Sequence, residues 1–130
     1  MFFYRLPSWV CNYFGDKVKS RVIEKPWGFE HIWTETEHYV AKILQISPKQ
    51  RLSLQYHEFK EETVYVLEGT LLNWTDDDKS PPQRYNAHQV LHIKPNQVHR
   101  FGAGESMVRL MEVSTPHLDD VVRLADDYDR

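Results

Sequence analysis

Short runs of β-forming residues, each ended by turn residues, constrain the fold of this chain more than any other feature. Turn signals recur roughly every 8–12 positions, and no long amphipathic helix interrupts the series. Strands with this spacing are typical of antiparallel sandwiches and barrels. The sequence therefore predicts an all-β fold.

The predicted strands cover residues 29–34, 38–47, 51–57, 63–67, 70–74, 84–93, 98–101 and 107–114. Both faces of the 38–47 strand are apolar, so we expect it at the centre of the core. The strands at 63–67 and 70–74 are predicted to pair as a hairpin around the Glu68 and Gly69 turn. The tail after Pro116 has apolar residues at helical spacing between acids, which fits either a short helix or an edge segment that closes the barrel.

Composition restricts the class of protein. A chain of 130 residues suits one domain with a single core. The net charge of −3 argues against a nucleic-acid partner, which would need a basic patch. No run approaches the ~18 apolar residues of a membrane span, and a single cysteine, Cys11, fits a reducing compartment. We therefore expect a cytoplasmic protein with no membrane partner.

We divide the chain into an N-terminal aromatic arm, residues 1–20, and a single barrel domain, residues 21–130. The aromatic residues of the arm are Phe2, Phe3, Tyr4, Trp9, Tyr13 and Phe14. This segment either packs on the barrel as a short helix or arm, or forms a dimer contact, because exposed aromatic patches usually mark interfaces. We expect a homodimer.

Four residues have the pattern of a metal site. Gln55 and His57 lie two positions apart, which places both side chains on one face of a strand. Glu62 begins the next β-rich run, and His99 follows a Pro-Asn turn on a later strand. Two imidazoles, a carboxylate and an amide oxygen can hold a divalent ion and leave positions open for a substrate oxygen. We expect one such ion, zinc by default, although manganese, nickel or iron would also suit these ligands.

The same residues resemble the first motif of the cupin superfamily: Gly, five residues, His-x-His, three or four residues, Glu, six residues, Gly. Gln55, His57, Glu62 and Gly69 fit the spacing, with Lys49 in place of the first glycine and Gln55 in place of the first histidine. His99 takes the ligand position of the second cupin motif. The resemblance implies a cupin-type jelly-roll antiparallel β-barrel with short N-terminal and C-terminal extensions.

The glutamine makes residues 25–130 similar to the C-terminal cupin domain of type II phosphomannose isomerases. The matching segments are KPWG at 25–28, RLSLQ at 51–55, His99 with Arg100, Glu112 with Val113, and DDVVR at 119–123. A chain of 130 residues does not hold that family's nucleotidyltransferase domain, so we expect a stand-alone small cupin. The resemblance implies interconversion of mannose 6-phosphate and fructose 6-phosphate, with the metal as Lewis acid.

Such an isomerisation needs a base and cations for the phosphate. Glu112, on the last long predicted strand, is the candidate base, with His88 or His92 behind it. Arg51 shares strand parity with Gln55 and His57, so it should face the barrel interior if the strand is regular, and we expect it to act in catalysis. The candidate phosphate-binding residues are Arg100, Lys42 and Lys60.

Three other interpretations stay open. A non-catalytic, metal-containing carbohydrate-binding or regulatory cupin would use the same ligands, and Phe59 stands where the isomerases usually carry another histidine. An iron-dependent cupin dioxygenase is less compatible with Gln55, because an amide donates little electron density to a redox iron. A barrel without metal would require the four ligands not to converge.

Overall fold

A computed structural model of the chain describes residues 20–76 and 79–130. These residues form antiparallel strands and no helix, which confirms the predicted all-β class. The strands are β1 (Arg21–Lys25), β2 (Gly28–Glu35), β3 (Val40–Ile46), β4 (Leu54–Tyr56), β5 (Glu62–Glu68), β6 (Leu71–Trp74), β7 (Gln83–Tyr85), β8 (Val90–Ile93), β9 (Arg100–Gly102), β10 (Val108–Ser114) and β11 (Val122–Ala125).

The strands form two layers. One layer is a six-stranded sheet in the order β1-β2-β3-β10-β5-β8. The other contains β7-β6-β9 and β11-β4, which are joined by isolated bridges between Arg51 and Gly102 and between Gln55 and His99. The core lies between the layers. Its most deeply buried residues include Ile46, Val64, Val66, Leu71, Ile93, Val108 and Leu110.

The β3 strand lies between β2 and β10, as its apolar faces predict. Six of its seven residues are buried, including Lys42. Because the central strand is covered on both sides, a lysine there must be paired inside the protein. This position of Lys42 is important for the site described below.

The predicted hairpin between residues 63–67 and 70–74 is wrong. Strand β5 pairs with β10 and β8, whereas β6 pairs with β7 and β9 in the other layer. Gly69, with φ of 83°, carries the chain from one layer to the other. A turn signal in the sequence marks where a strand ends, but it does not show whether the next strand stays in the same sheet.

Other boundaries also differ from the predictions. Residues 51–57 form only the short β4, and residues 84–93 are divided into β7 and β8 by a turn. Strand β1 was missed. The tail contains the edge strand β11, paired with β4, so the edge-segment alternative is correct.

The predicted arm lies outside the described residues except for Ser20, and it stays a prediction. Within residues 20–76 and 79–130, there is no helix long and apolar enough to span a membrane.

We predict that Gly69→Ala destabilises the fold. Gly69 has a left-handed backbone, and a Cβ there would collide with the Met107 carbonyl oxygen. The free energy of unfolding, measured by urea denaturation, should fall by about 1–3 kcal/mol. The control is Gly104→Ala, whose Cβ would meet only the Leu72 side chain at 3.9 Å. Equal unfolding midpoints for the two variants would contradict the prediction.

Candidate metal centre

Three of the predicted ligands converge between the two layers. His57 follows β4, Glu62 begins β5, and His99 directly precedes β9. Their ligand atoms all lie within 4.8 Å of one another, and all three residues are buried. The two carboxylate oxygens of Glu62 lie 3.7 Å from His57 Nε2 and 3.6 Å from His99 Nε2.

The backbone fixes the tautomer of both histidines. His57 Nδ1 lies 2.5 Å from the Asp120 carbonyl oxygen, and His99 Nδ1 lies 2.9 Å from that of Gln97. A carbonyl only accepts, so each Nδ1 carries the proton and each Nε2 keeps its lone pair. Both Nε2 atoms are buried without a hydrogen-bond partner. Two Nε2 lone pairs without a hydrogen-bond partner, beside the Glu62 carboxylate, are suitable ligands for a metal ion.

Burial also keeps the histidines neutral. It lowers the pKa of His99 to about 4, and it lowers the pKa of His57, on which the Lys60 ammonium acts in the same direction. Neutral imidazole is the form that binds metal. The two rings are therefore ready to bind a cation at neutral pH.

Gln55 lies directly opposite His99. The two residues exchange backbone hydrogen bonds of 3.0 and 2.9 Å, which places their side chains on the same face. The Gln55 side-chain oxygen accepts a hydrogen bond of 2.6 Å from the Ser53 hydroxyl. The structure thus brings the fourth predicted ligand beside the other three.

A row of alternating charges crosses the cavity wall next to these ligands. Lys60 Nζ lies 2.9 Å from Glu62 Oε2 and 3.2 Å from Glu112 Oε2. Lys42 Nζ lies 3.5 Å from the same oxygen of Glu112 and 3.2 Å from Glu30 Oε2. All of these side chains are buried, so each charge depends on its neighbours for compensation.

Burial and the charges of this row shift the pKa values of the two central carboxylates, Glu62 and Glu112, in opposite directions. Burial acts to raise the pKa of Glu112, but the ammonium groups of Lys42 and Lys60 outweigh it and lower the pKa to about 2. Burial and the charge of Glu112 raise the pKa of Glu62 to about 7, against the effect of Lys60. Burial opposes the charge of Lys60, but Glu112 and Glu62 raise its pKa. Glu112 and Lys60 therefore form an ion pair at neutral pH.

These groups line a cavity of about 110 Å³, which has room for a small molecule. Its apolar lining consists of Trp27, Leu44, Leu52, Phe101, Leu118 and Val121. Gln55, His57, Lys60, Glu62 and Glu112 line its polar part. The predicted base and two of the predicted cations, Lys42 and Lys60, thus share one cavity with the candidate metal ligands.

Arg51 and Arg100 are placed elsewhere. Both bind Asp127 in the tail, at 2.6 Å from Arg51 Nε and 2.9 Å from Arg100 Nη2, and neither lines the cavity. The parity argument for Arg51 requires a regular strand, and residues 51–53 do not form one. Arg51 forms only an isolated bridge with Gly102. These positions fit a clamp for the tail and do not fit the predicted catalytic and substrate-binding roles.

Sequence reasoning missed three cavity cations and one organising carboxylate. Lys25, Arg123 and Arg130 line the cavity. The Asp120 carboxylate accepts from the backbone N–H groups of residues 58–60, which hold the loop between His57 and Glu62. Both Asp120 and Arg123 belong to the DDVVR segment, so that resemblance was the signal that could have found them.

His88 and His92, the weaker candidates for the base, do not line the cavity. Both are exposed, and their rings contact Tyr65 and Thr63 on the outer side of β5. This leaves Glu112 as the candidate base with a place at the site.

Comparisons with known proteins support the cupin resemblance. The chain is 28% identical over 107 residues to a mannose-1-phosphate guanylyltransferase from Sinorhizobium fredii, which covers 79% of this chain and 20% of that protein. It is 32% identical over 68 residues to quercetin 2,3-dioxygenase from Bacillus subtilis. This match covers 52% of this chain and 19% of that protein. The chain thus spans about a fifth of the length of these curated relatives.

A cupin-like protein from Thermotoga maritima has the same fold, with a TM-score of 0.60, 20% identity, and coverage of 70% of this chain and 68% of that one. The model of the family described as Mannose-6-phosphate isomerase C-terminal matches residues 15–126. The chain is therefore a cupin that belongs to the Mannose-6-phosphate isomerase C-terminal family.

Proposed function

We propose that this cupin is a metal-dependent isomerase of a sugar phosphate, of the mannose 6-phosphate to fructose 6-phosphate type. The observation that carries the proposal is the Lys60 and Glu112 ion pair beside the His57, Glu62 and His99 group. Lys60 is 4% exposed and Glu112 is 3% exposed. Buried charges cost stability, and titratable groups perturbed in this way cluster at catalytic sites.

The residues present fit one divalent ion. His57 and His99 would supply nitrogen, Glu62 a carboxylate oxygen and Gln55 an amide oxygen. When bound, such an ion supplies Lewis-acid polarisation of a substrate oxygen. We propose zinc, with manganese, nickel and iron as alternatives.

Glu112 and Lys60, which lie next to this group, can supply the proton transfer and the hydrogen bonding that isomerisation needs. Isomerisation moves a proton between two neighbouring carbons, and Glu112, which is held ionised, can accept it and return it. The Lys60 ammonium can donate a hydrogen bond to the oxygen that gains charge as the proton leaves. Lys42 and Lys60 keep Glu112 ionised, but they also make it a weaker base. Glu112 therefore suits a substrate whose C–H group is made more acidic by the nearby positive charges.

The family match and the similarity to a mannose-1-phosphate guanylyltransferase support a sugar phosphate as substrate. This support is an analogy between family members, because one fold hosts many activities. A second candidate is a dioxygenase, favoured by the 32% identity to quercetin 2,3-dioxygenase. The amide of Gln55 and the buried Lys60 favour the isomerase.

We predict that the purified protein holds about one divalent ion per chain, and that His57→Ala and His99→Ala each lower its affinity by at least about tenfold. Elemental analysis and metal titration measure this. The control is His92→Ala, which removes an exposed histidine outside the cavity. Equal metal content in all three variants would rule out the proposed site.

We predict that Glu112→Gln lowers kcat for mannose 6-phosphate by about 100-fold or more and leaves the metal content unchanged, because the amide cannot accept the proton. A coupled assay for fructose 6-phosphate measures turnover. The matched control is Glu61→Gln, an exposed residue that does not line the cavity. Native turnover that survives in Glu112→Gln would exclude Glu112 as the base. Metal without turnover would favour a binding or regulatory cupin, and oxygen uptake with quercetin would favour the dioxygenase.

A further inference from the structure

One face of the six-stranded sheet points away from the second layer, and we call it the outer face. The strand registers place six residues directly opposite one another, one on each strand, so that they form a single row across this face. An antiparallel sheet with one face in water usually carries polar residues on that face. This row instead consists of apolar and aromatic residues and one histidine. The members of this outer row are Val22, His31, Ile43, Met111, Tyr65 and Val90.

Strand alternation fixes the direction of the row. Lys42 and Glu112 line the cavity on the inner side of the sheet. Their neighbours in sequence, Ile43 and Met111, therefore point to the opposite side. Ile43 is buried, but it does not belong to the core cluster between the two layers. The outer row is thus a second apolar region, separate from the core and from the candidate metal centre.

The centre of the outer row is buried, whereas its two ends are exposed. His31 is 2% exposed and Ile43 is 7% exposed. Val22 and Val90, on the two edge strands of the sheet, are 50% and 56% exposed. The second layer does not explain this difference, because it packs on the inner face, where the core lies.

Trp33 covers part of this centre. Its indole Nε1 lies 3.3 Å from Met111 Sδ, so the ring extends from β2 to β10 over the strand between them. Trp33 is itself 37% exposed. One partly exposed indole is a small cover for both His31 and Ile43, and their burial therefore indicates further apolar cover on the outer face.

The segment before β1 has the composition that such a cover needs. Residues 1–19 lie outside the described part of the chain, and residues 1–14 contain one charged side chain, Arg5. A group of aromatic residues of this size usually lies against another apolar surface. Its removal from water is favourable. The aromatic residues are Phe2, Phe3, Tyr4, Trp9, Tyr13 and Phe14.

Chain connectivity brings this segment to the outer row. β1 is an edge strand beside β2, and Val22, its second residue, already belongs to the row. Neighbouring strands lie about 4.8 Å apart, so β1, β2, β3 and β10 extend over about 15 Å. An extended segment as long as residues 1–19 reaches about 60 Å. Its attachment to β1 also gives it a higher effective concentration at this face than a separate molecule would have.

We propose that residues 1–19 pack on the outer face of the sheet of their own chain, across the row from Val22 to Met111. The partner of this surface is thus an aromatic segment of the same molecule and not a second copy. The strands that it covers include β3 and β10, which carry Lys42 and Glu112 on their inner side. The cover therefore stabilises the two strands that hold the buried ion pairs.

Cys11, the single cysteine of the chain, allows a test on the full-length protein. A nitroxide spin label on Cys11 broadens the NMR signals of groups that lie near it. The loss of methyl signal at Ala41 and Ile43, on the outer face, should exceed the loss at Leu71 and Ala103, which lie in the core on the other side of the sheet. Equal losses at the two pairs would overturn the proposal.

A mixed sample distinguishes the same chain from a second copy. It contains spin-labelled protein of natural isotope abundance and isotope-labelled protein whose Cys11 carries a diamagnetic analogue of the label. Broadening at Ala41 and Ile43 in this sample comes only from another molecule, and none is expected. Losses as large as those in the singly labelled protein would overturn the proposal and assign the outer face to a dimer.

Val113→Asp places a charge on the outer face, opposite Ala41, at a residue that is 49% exposed. It should reduce the signal loss at Ala41 and Ile43, because an unpaired carboxylate is costly to bury. The matched control is Leu124→Asp, which adds the same charge to β11 at a residue that is 53% exposed and should leave the losses unchanged. Native losses in Val113→Asp would contradict the proposal. Melting temperatures check that the variants and the labelled protein fold, and the two comparisons on the native sequence decide the proposal if Val113→Asp does not.

Discussion

The ammonium of Lys60, held between two carboxylates, is the interaction on which the interior of this barrel depends. Glu62 and Glu112 are both almost fully buried, and two carboxylates so close together cannot easily both be charged. Lys60 bridges them, and Lys42 and Glu30 extend the compensation along the sheet. These buried charged groups can therefore lie beside the hydrophobic core, next to His57 and His99, which remain neutral.

The site is assembled from both layers of the barrel. Glu112, Lys42 and Glu62 come from the six-stranded sheet, whereas Gln55 comes from β4 and His99 from the turn before β9. The six-stranded sheet carries the charged pairs and one candidate ligand, Glu62, and the other layer supplies the remaining ligands. Glu62 therefore connects the row of charges to the candidate metal centre, since it contacts Lys60 on one side and lies beside the two histidines on the other.

Sequence reasoning found the residues whose position depends on local spacing. Gln55, His57 and Glu62 lie within eight residues, and strand periodicity with one turn brings them together. Sequence reasoning failed for residues whose position depends on contacts with distant parts of the chain. The direction of Arg51 depends on an irregular segment, and the position of Arg123 at the cavity depends on the pairing of the tail with β4. The predicted hairpin after Gly69 failed for the same reason, because the partners of β5 and β6 are remote in sequence.

The hydrogen bond between His57 and the Asp120 carbonyl joins residues 63 positions apart. It connects the docking of the tail to the tautomer of a candidate metal ligand. Thermodynamic linkage makes this relation reciprocal: whatever stabilises the docked tail also favours the ring form that binds a cation, and a bound cation stabilises the docked tail by the same factor. In this barrel the tail is therefore an energetic part of the candidate metal centre, although it supplies none of the candidate ligands.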